Sequence, residues 1–131
     1  MPAKTVAEKL LVKPNTTLWS SHPDRIPLVG PLPAAVETVA APSDATAALV
    51  FADSAADVRE VLTEYKDQLA APSVFWVLYP KANRADINRD TLWPILREYG
   101  MRPISQVAVD DTWSALRFRP LKEGETFHPG A

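Results

Sequence analysis

Lys81, Arg84 and Arg89 place three cations on the stretch between an apolar run and an amphipathic segment. Where such a stretch leads into a helix, the side-chain cations and the first free amides of the helix can jointly hold a phosphate or a carboxylate. The plainer reading is a set of solvated loop charges, and the general exposure of Lys and Arg favours it. Asp110 and Asp111 are adjacent, so on an extended strand their carboxylates point to opposite faces and cannot work as a catalytic pair. Turn residues that bond local amides are the expectation there. Histidine is the side chain suited to proton transfer near neutrality, but the sequence offers His22 no nucleophile or carboxylate as a partner. His22 and His128 lie far apart with no ligand spacing between them, so no metal site is expected.

Four tryptophans, Trp19, Trp76, Trp93 and Trp113, could be taken for a ligand cage. Packing is the favoured role for all four, with Trp113 the exception to watch because it falls beside the predicted crevice. The candidate ligand-binding set is therefore Tyr79, Lys81, Arg84, Arg89, Asp110, Trp113 and His22. Ser21, Asp53 and Asp111 join several of these at the carboxyl ends of predicted strands, where open α/β sheets bind ligands. No residue is assigned a catalytic role, no cofactor is indicated, and the chain reads as a binding module rather than an enzyme.

The elements that position these residues are organised around Ser73-Val-Phe-Trp-Val-Leu-Tyr79, an unbroken apolar run too short for a helix and too hydrophobic for a strand wetted on one face. It reads as a strand buried on both sides, the kind found in the middle of parallel sheets covered by helices. Thr46–Phe51 is a second such strand. Between them Ser54 and Asp57 resemble a capping box, and Val58, Val61, Leu62, Tyr65 and Leu69 form one apolar stripe ahead of Pro72. The unit is strand, helix, strand with parallel strands.

Upstream, Thr5–Val12 reads as a short helix and Thr16–Ser20 as the first strand, followed by a turn or loop at Ser21–Asp24. Ile26–Val29 makes at most one helical turn. Ala35–Val39 alternates as a strand, but only about six residues separate it from the next, against the dozen or more of a normal parallel crossover. Either it runs antiparallel or the link crosses a sheet end without a helix. Downstream, Asp86–Gly100 is a helix capped by Asn88 or Asp90, with Leu92, Ile95, Leu96 and Tyr99 inward and Gly100 as its stop. Pro94 favours a late start near Asn88 to Thr91. Ile104–Val109 and Ala115–Phe118 pair as an antiparallel hairpin, and Leu121–Ala131 is a loose tail.

A length of 131 residues suits one domain, with an ordered core of about residues 5–120. The expected architecture is α/β: a single three-layer domain with a mostly parallel sheet of five to six strands and a C-terminal antiparallel hairpin. Proline, at 13 residues, is near twice its usual share while glycine numbers 4, so the loops are stiff. The absence of cysteine excludes disulfides and thiolate metal sites and fits a reducing, cytoplasmic location. A net charge of −2 provides no broad attraction for nucleic acid or an anionic membrane, and no apolar run is long enough to span a bilayer. The expected partners are a small anionic ligand, a protein partner or a second copy in a homodimer, with no nucleic acid and no membrane.

Tyr79-Pro80-Lys81, Arg89-Asp90, Asp110-x-x-Trp113 and Leu116-Arg-Phe118, taken together and in order, resemble a family of small bacterial proteins known only as a domain of unknown function. The likeness runs from about Ala7 to Pro120. It implies a Rossmann-like fold similar to a trimmed methyltransferase domain, with the first strand near Thr16 and the closing hairpin in the places of a methyltransferase's first and last two strands. A glycine-rich loop would then follow the first strand, but Ser20-Ser-His-Pro-Asp24 contains none. Non-glycine residues resist the positive φ angles with which amides close on a pyrophosphate, so a dinucleotide site is not expected. A divergent S-adenosylmethionine-dependent methyltransferase-like enzyme is the alternative, resting on fold analogy alone.

Overall fold

The structure is a computed structural model that describes residues 6–29, 32–69, 71–81 and 89–120, with the side chains of Arg89 and Asp90 outside the description. Six strands form one sheet in the order β2-β1-β3-β4-β6-β5. They are β1 (Thr17–Ser20), β2 (Glu37–Thr38), β3 (Ala47–Phe51), β4 (Val74–Pro80), β5 (Met101–Ala108) and β6 (Trp113–Pro120). The first four run parallel, while β6 is antiparallel to both β4 and β5. The mostly parallel sheet expected from the two apolar runs, with a C-terminal antiparallel hairpin, is the one observed.

Alternation along the strands divides the core in two. Trp19, Ala48, Val50, Phe75, Val77, Tyr79, Leu116 and Phe118 face one way and meet Val58 and Leu62 of α2 (Ala55–Glu64) and Leu92, Ile95 and Leu96 of α3 (Arg89–Glu98). Leu18, Leu49, Phe51, Trp76, Leu78 and Ala115 face the other way, against Ala7 and Leu10 of α1 (Val6–Lys9), Val12 and Val29. This second layer is thin: α1 has 4 residues and its companion is the 3-10 segment Pro23–Val29. Buried indole needs a hydrogen-bond partner, and Trp76 Nε1 donates to the Leu10 carbonyl at 2.8 Å, tying the α1 end to the centre of the sheet.

Several expectations are sharpened or corrected. The strand near Val36 shrinks to the two exposed residues Glu37 and Thr38, and it is parallel to β1. Its link to β3 passes the 3-10 turn Pro42–Asp44 without a helix, which a two-residue edge strand permits because little chain needs to be carried across. Residues 23–29 hold a seven-residue 3-10 segment in place of a loop and a single turn, with Pro23 and Pro27 fixing φ where a 3-10 helix needs it. Strand β5 begins at Met101 rather than Ile104 and shifts register between Pro103 and Ser105, where a proline is tolerable only because β5 is the sheet edge. Helix α3 starts by Arg89, so Pro94 is its sixth residue and removes one rung from the ladder rather than sitting in the first turn. The Asn88 cap and the tail from Leu121 lie outside the described residues.

Candidate functional site

The chain leaves β1 towards β2 on one side and returns past it to β3 on the other, so the connections diverge between the carboxyl ends of β1 and β3. That divergence opens the crevice where ligands bind in open α/β sheets. Ser21 lies just past the end of β1. Its amide donates to the Leu49 carbonyl at 2.9 Å, and its hydroxyl then accepts the Phe51 N–H at 2.8 Å. The hydroxyl thus serves as a last ladder rung where the β1 backbone has already turned away. The same oxygen lies 2.9 Å from His22 Nδ1, either group able to supply the proton. His22 therefore has a partner after all, the neighbouring Ser21, a pairing that adjacency in sequence did not announce.

Asp53 follows β3 and precedes α2. Ser54 caps that helix, accepting the Asp57 amide at 3.2 Å, while the Asp57 carboxylate reaches back to the Asp53 amide at 3.0 Å, one residue beyond the ideal capping box. The Asp53 carboxylate is left for the Arg25 guanidinium, which donates from Nη2 to Oδ2 at 2.7 Å. Arg25 also lies over the Trp113 ring, 5.5 Å from Cζ to the ring centre, and Trp113 stands edge-to-face on Phe51 at 6.0 Å. The hydrogen bond to Asp53 holds the Arg25 guanidinium above its ordinary range against the lowering effect of partial burial, and the Asp53, Asp24 and Asp57 charges add to it. Of this trio Trp113 was in the candidate set and Asp53 among the strand-end positions, while Arg25 was in neither. A basic residue inside a proline-bounded segment carries no sequence signal that it will fold onto an acid 28 positions away.

The remaining candidates fall elsewhere. Tyr79 is 4% exposed, on the α2–α3 side of the sheet, with its hydroxyl accepting from Gln106 Nε2 at 3.0 Å. Trp113 packs with the opposite core cluster, so the sheet separates the two. Asp110 accepts the amides of Thr112 and Trp113, both at 2.7 Å, and Asp111 is exposed. Asp110 is the amide-bonding turn residue expected, and it shapes the hairpin that presents Trp113. Lys81 donates its amide to the Thr112 carbonyl at 2.7 Å. Arg84 and the Arg89 side chain lie outside the described residues, so of the cation stretch only Lys81 is placed. Among the described residues no three acidic or histidine side chains gather as a metal site, and no helix is long and apolar enough to cross a membrane. An open depression along α2, lined by Ala56, Arg59, Glu60, Thr63 and Glu64, holds no member of the set.

No family model matches the chain, and no curated protein matches it. Solved structures do. A protein of the NADB-Rossmann superfamily from Streptococcus agalactiae covers 92% of this chain with a TM-score of 0.58 at 8% identity, and 69% of that protein is covered. A Streptococcus pneumoniae protein assigned as a tRNA (m1A22) methyltransferase covers 92% at a TM-score of 0.57 and 10% identity, with 71% of its own chain covered. The same protein in complex with S-adenosyl-L-methionine superposes at 0.51, with 10% identity, 92% of this chain and 73% of that one. The B. subtilis m1A22 tRNA methyltransferase covers 88% at 0.53 and 11% identity, and this chain spans 64% of it. Identities this low establish the Rossmann-like fold and nothing finer. The methyltransferase-like half of the resemblance read from sequence thus has structural neighbours, while the small bacterial family has no matching model.

Proposed function

We propose that this chain binds a nucleoside of the S-adenosylmethionine class in the crevice at the carboxyl ends of β1 and β3. The observation that carries the reading is the switch point itself, in a fold shared with a neighbour in complex with S-adenosyl-L-methionine. This reverses the order in which the sequence ranks the two functions, where a non-catalytic module came first. Net charge also stops being an argument against nucleic acid, since two neighbours are tRNA methyltransferases by name and overall charge does not describe a local surface.

The fit is one of side chains rather than backbone. The amides of Ser21, Phe51, Asp53 and Lys81 already have acceptors, and His22 N donates to Ser20 Oγ at 3.1 Å. No glycine turn offers others. Asp53, Trp113 and His22 are the groups that would hold such a ligand: the carboxylate by accepting from hydroxyl or ammonium groups, the indole by stacking, the imidazole by its outer nitrogen. Bound there, S-adenosylmethionine supplies an activated methyl group. The same committed amides favour a second reading, a non-catalytic module that binds a protein partner.

Calorimetric titration with S-adenosylmethionine and its demethylated product decides between them. Saturable binding that Asp53→Asn weakens at least tenfold is expected. A ligand at a hundred times its Kd adds about 2.7 kcal/mol, so melting should rise by several degrees in parallel. Absence of heat and of any melting shift with both compounds would reject the nucleoside and leave the second reading.

A further inference from the structure

We infer that Asp53 and Trp113 form a subsite for a cationic group, and that Arg25 occupies it in the free chain as a built-in competitor. The inference rests on the same crevice being the ligand site, and it names the charge that site selects. A carboxylate beside an indole face is the equipment for recognising a cation, and Asp24 and Asp57 add negative potential around the guanidinium. The amides of Ser21, His22, Phe51 and Asp53 at the switch point are committed to the chain itself. The small anionic ligand expected from sequence thus gives way to a cation such as a sulfonium, ammonium or guanidinium.

The seat of Arg25 is a poor one, and that makes it displaceable. Nη2 has its 2.7 Å bond to Asp53, but Nη1 is buried with no acceptor among the described residues. The side chains of the pair are 27% and 52% exposed, so solvent screens them and the attraction is weak. A buried donor left unmet offsets part of what the pair and the contact with Trp113 contribute. Arg25 is carried on the 3-10 segment Pro23–Val29, whose hydrogen-bond geometry is poorer than that of an α-helix. A ligand cation that satisfies all its donors, or that has none to satisfy, as a sulfonium does, replaces it without leaving an orphan.

Removing a competitor that fills the subsite about nine times in ten raises apparent affinity roughly tenfold. Agmatine, which carries a guanidinium on a flexible chain, is the probe. Arg25→Ala and Arg25→Gln are expected to bind it about tenfold tighter than the unmodified chain, and the double variant Arg25→Ala/Asp53→Asn to lose the gain. The glutamine variant keeps part of the aliphatic stem without the charge should the alanine variant fail to fold. Equal agmatine affinity for the unmodified chain and the Arg25 variants would overturn the inference, as would a gain that survives Asp53→Asn. S-adenosylmethionine titrated alongside separates the two claims. An agmatine gain with no nucleoside binding keeps the subsite and removes the proposed ligand. Nucleoside binding indifferent to Arg25 and Asp53, with no agmatine gain, keeps the ligand and removes the subsite.

Discussion

Replacing Ser21 with Ala tests whether a side chain stands in for backbone at the end of the sheet. Phe51 has no exposed surface, and its N–H points to the side of β3 that β1 has already left, where Ser21 Oγ accepts it at 2.8 Å. A methyl group accepts nothing, so the variant leaves a buried amide unpaired. That costs about 1–3 kcal/mol, out of a total stability of roughly 5–15 for a domain. His22 Nδ1 loses its partner at the same time, but His22 is half-buried and water can replace the hydroxyl there. With a urea m-value of roughly 2 kcal/mol/M, the unfolding midpoint should fall by about 0.5–1.5 M. Ser21→Thr keeps the oxygen and should recover most of the loss, while Ser105→Ala, at an exposed position of β5, should change little. Equal midpoints for the Ala and Thr variants, or a Ser21→Ala shift no larger than that of Ser105→Ala, would show that the Phe51 amide does not depend on this hydroxyl.

Three further outcomes follow from the same structure. Ser54→Ala removes the cap of α2 and should cost about 1 kcal/mol by denaturant unfolding, with Ser54→Asp nearly neutral because aspartate caps as well. Gly100 closes α3 at φ +78°, and an added Cβ would meet nothing within 4 Å, so Gly100→Ala should lower stability by about 1 kcal/mol through backbone strain alone. Trp76→Phe leaves the Leu10 carbonyl without its donor and should cost about 1–3 kcal/mol beyond the lost ring volume. Faster hydrogen exchange at the amides of Leu10 and Val12 would confirm that this tether holds α1 down.

The sheet was legible wherever burial dictated residue type. Ala47–Phe51 and Val74–Tyr79 are buried at every position, and a strand covered on both faces leaves a continuous apolar run that no other element of that length produces. The start of α2 was legible because a cap is a local interaction between residues three positions apart. The edges were not. Strand β2 consists of two exposed residues held by pairing alone, so nothing in Glu37 and Thr38 records it. The 3-10 segment was missed because it buries only Val29 and so has no apolar period to read. In β5, pairing with β6 imposes the strand from Met101 onward despite Pro103, and the register shift breaks the alternation that would have shown it.

The site was hidden for a different reason. Tyr79, Asp110 and Lys81 were chosen because strand ends are where ligands bind, and position is indeed where the structure puts them. What decides function is which polar groups remain available after the fold has satisfied itself, and that depends on pairs distant in sequence. Gln106 takes the Tyr79 hydroxyl across 27 positions, and Arg25 takes Asp53 across 28. The turn after β1 illustrates the point most directly. Lacking glycine, it cannot turn its amides towards a ligand, and the structure uses Ser20 and Ser21 hydroxyls to satisfy the amides of His22 and Phe51 instead. With these amides taken, side chains carry most of what this turn can offer a ligand. The side chains at its mouth are an acid and an indole already holding a cation, so whatever binds here must first compete with Arg25.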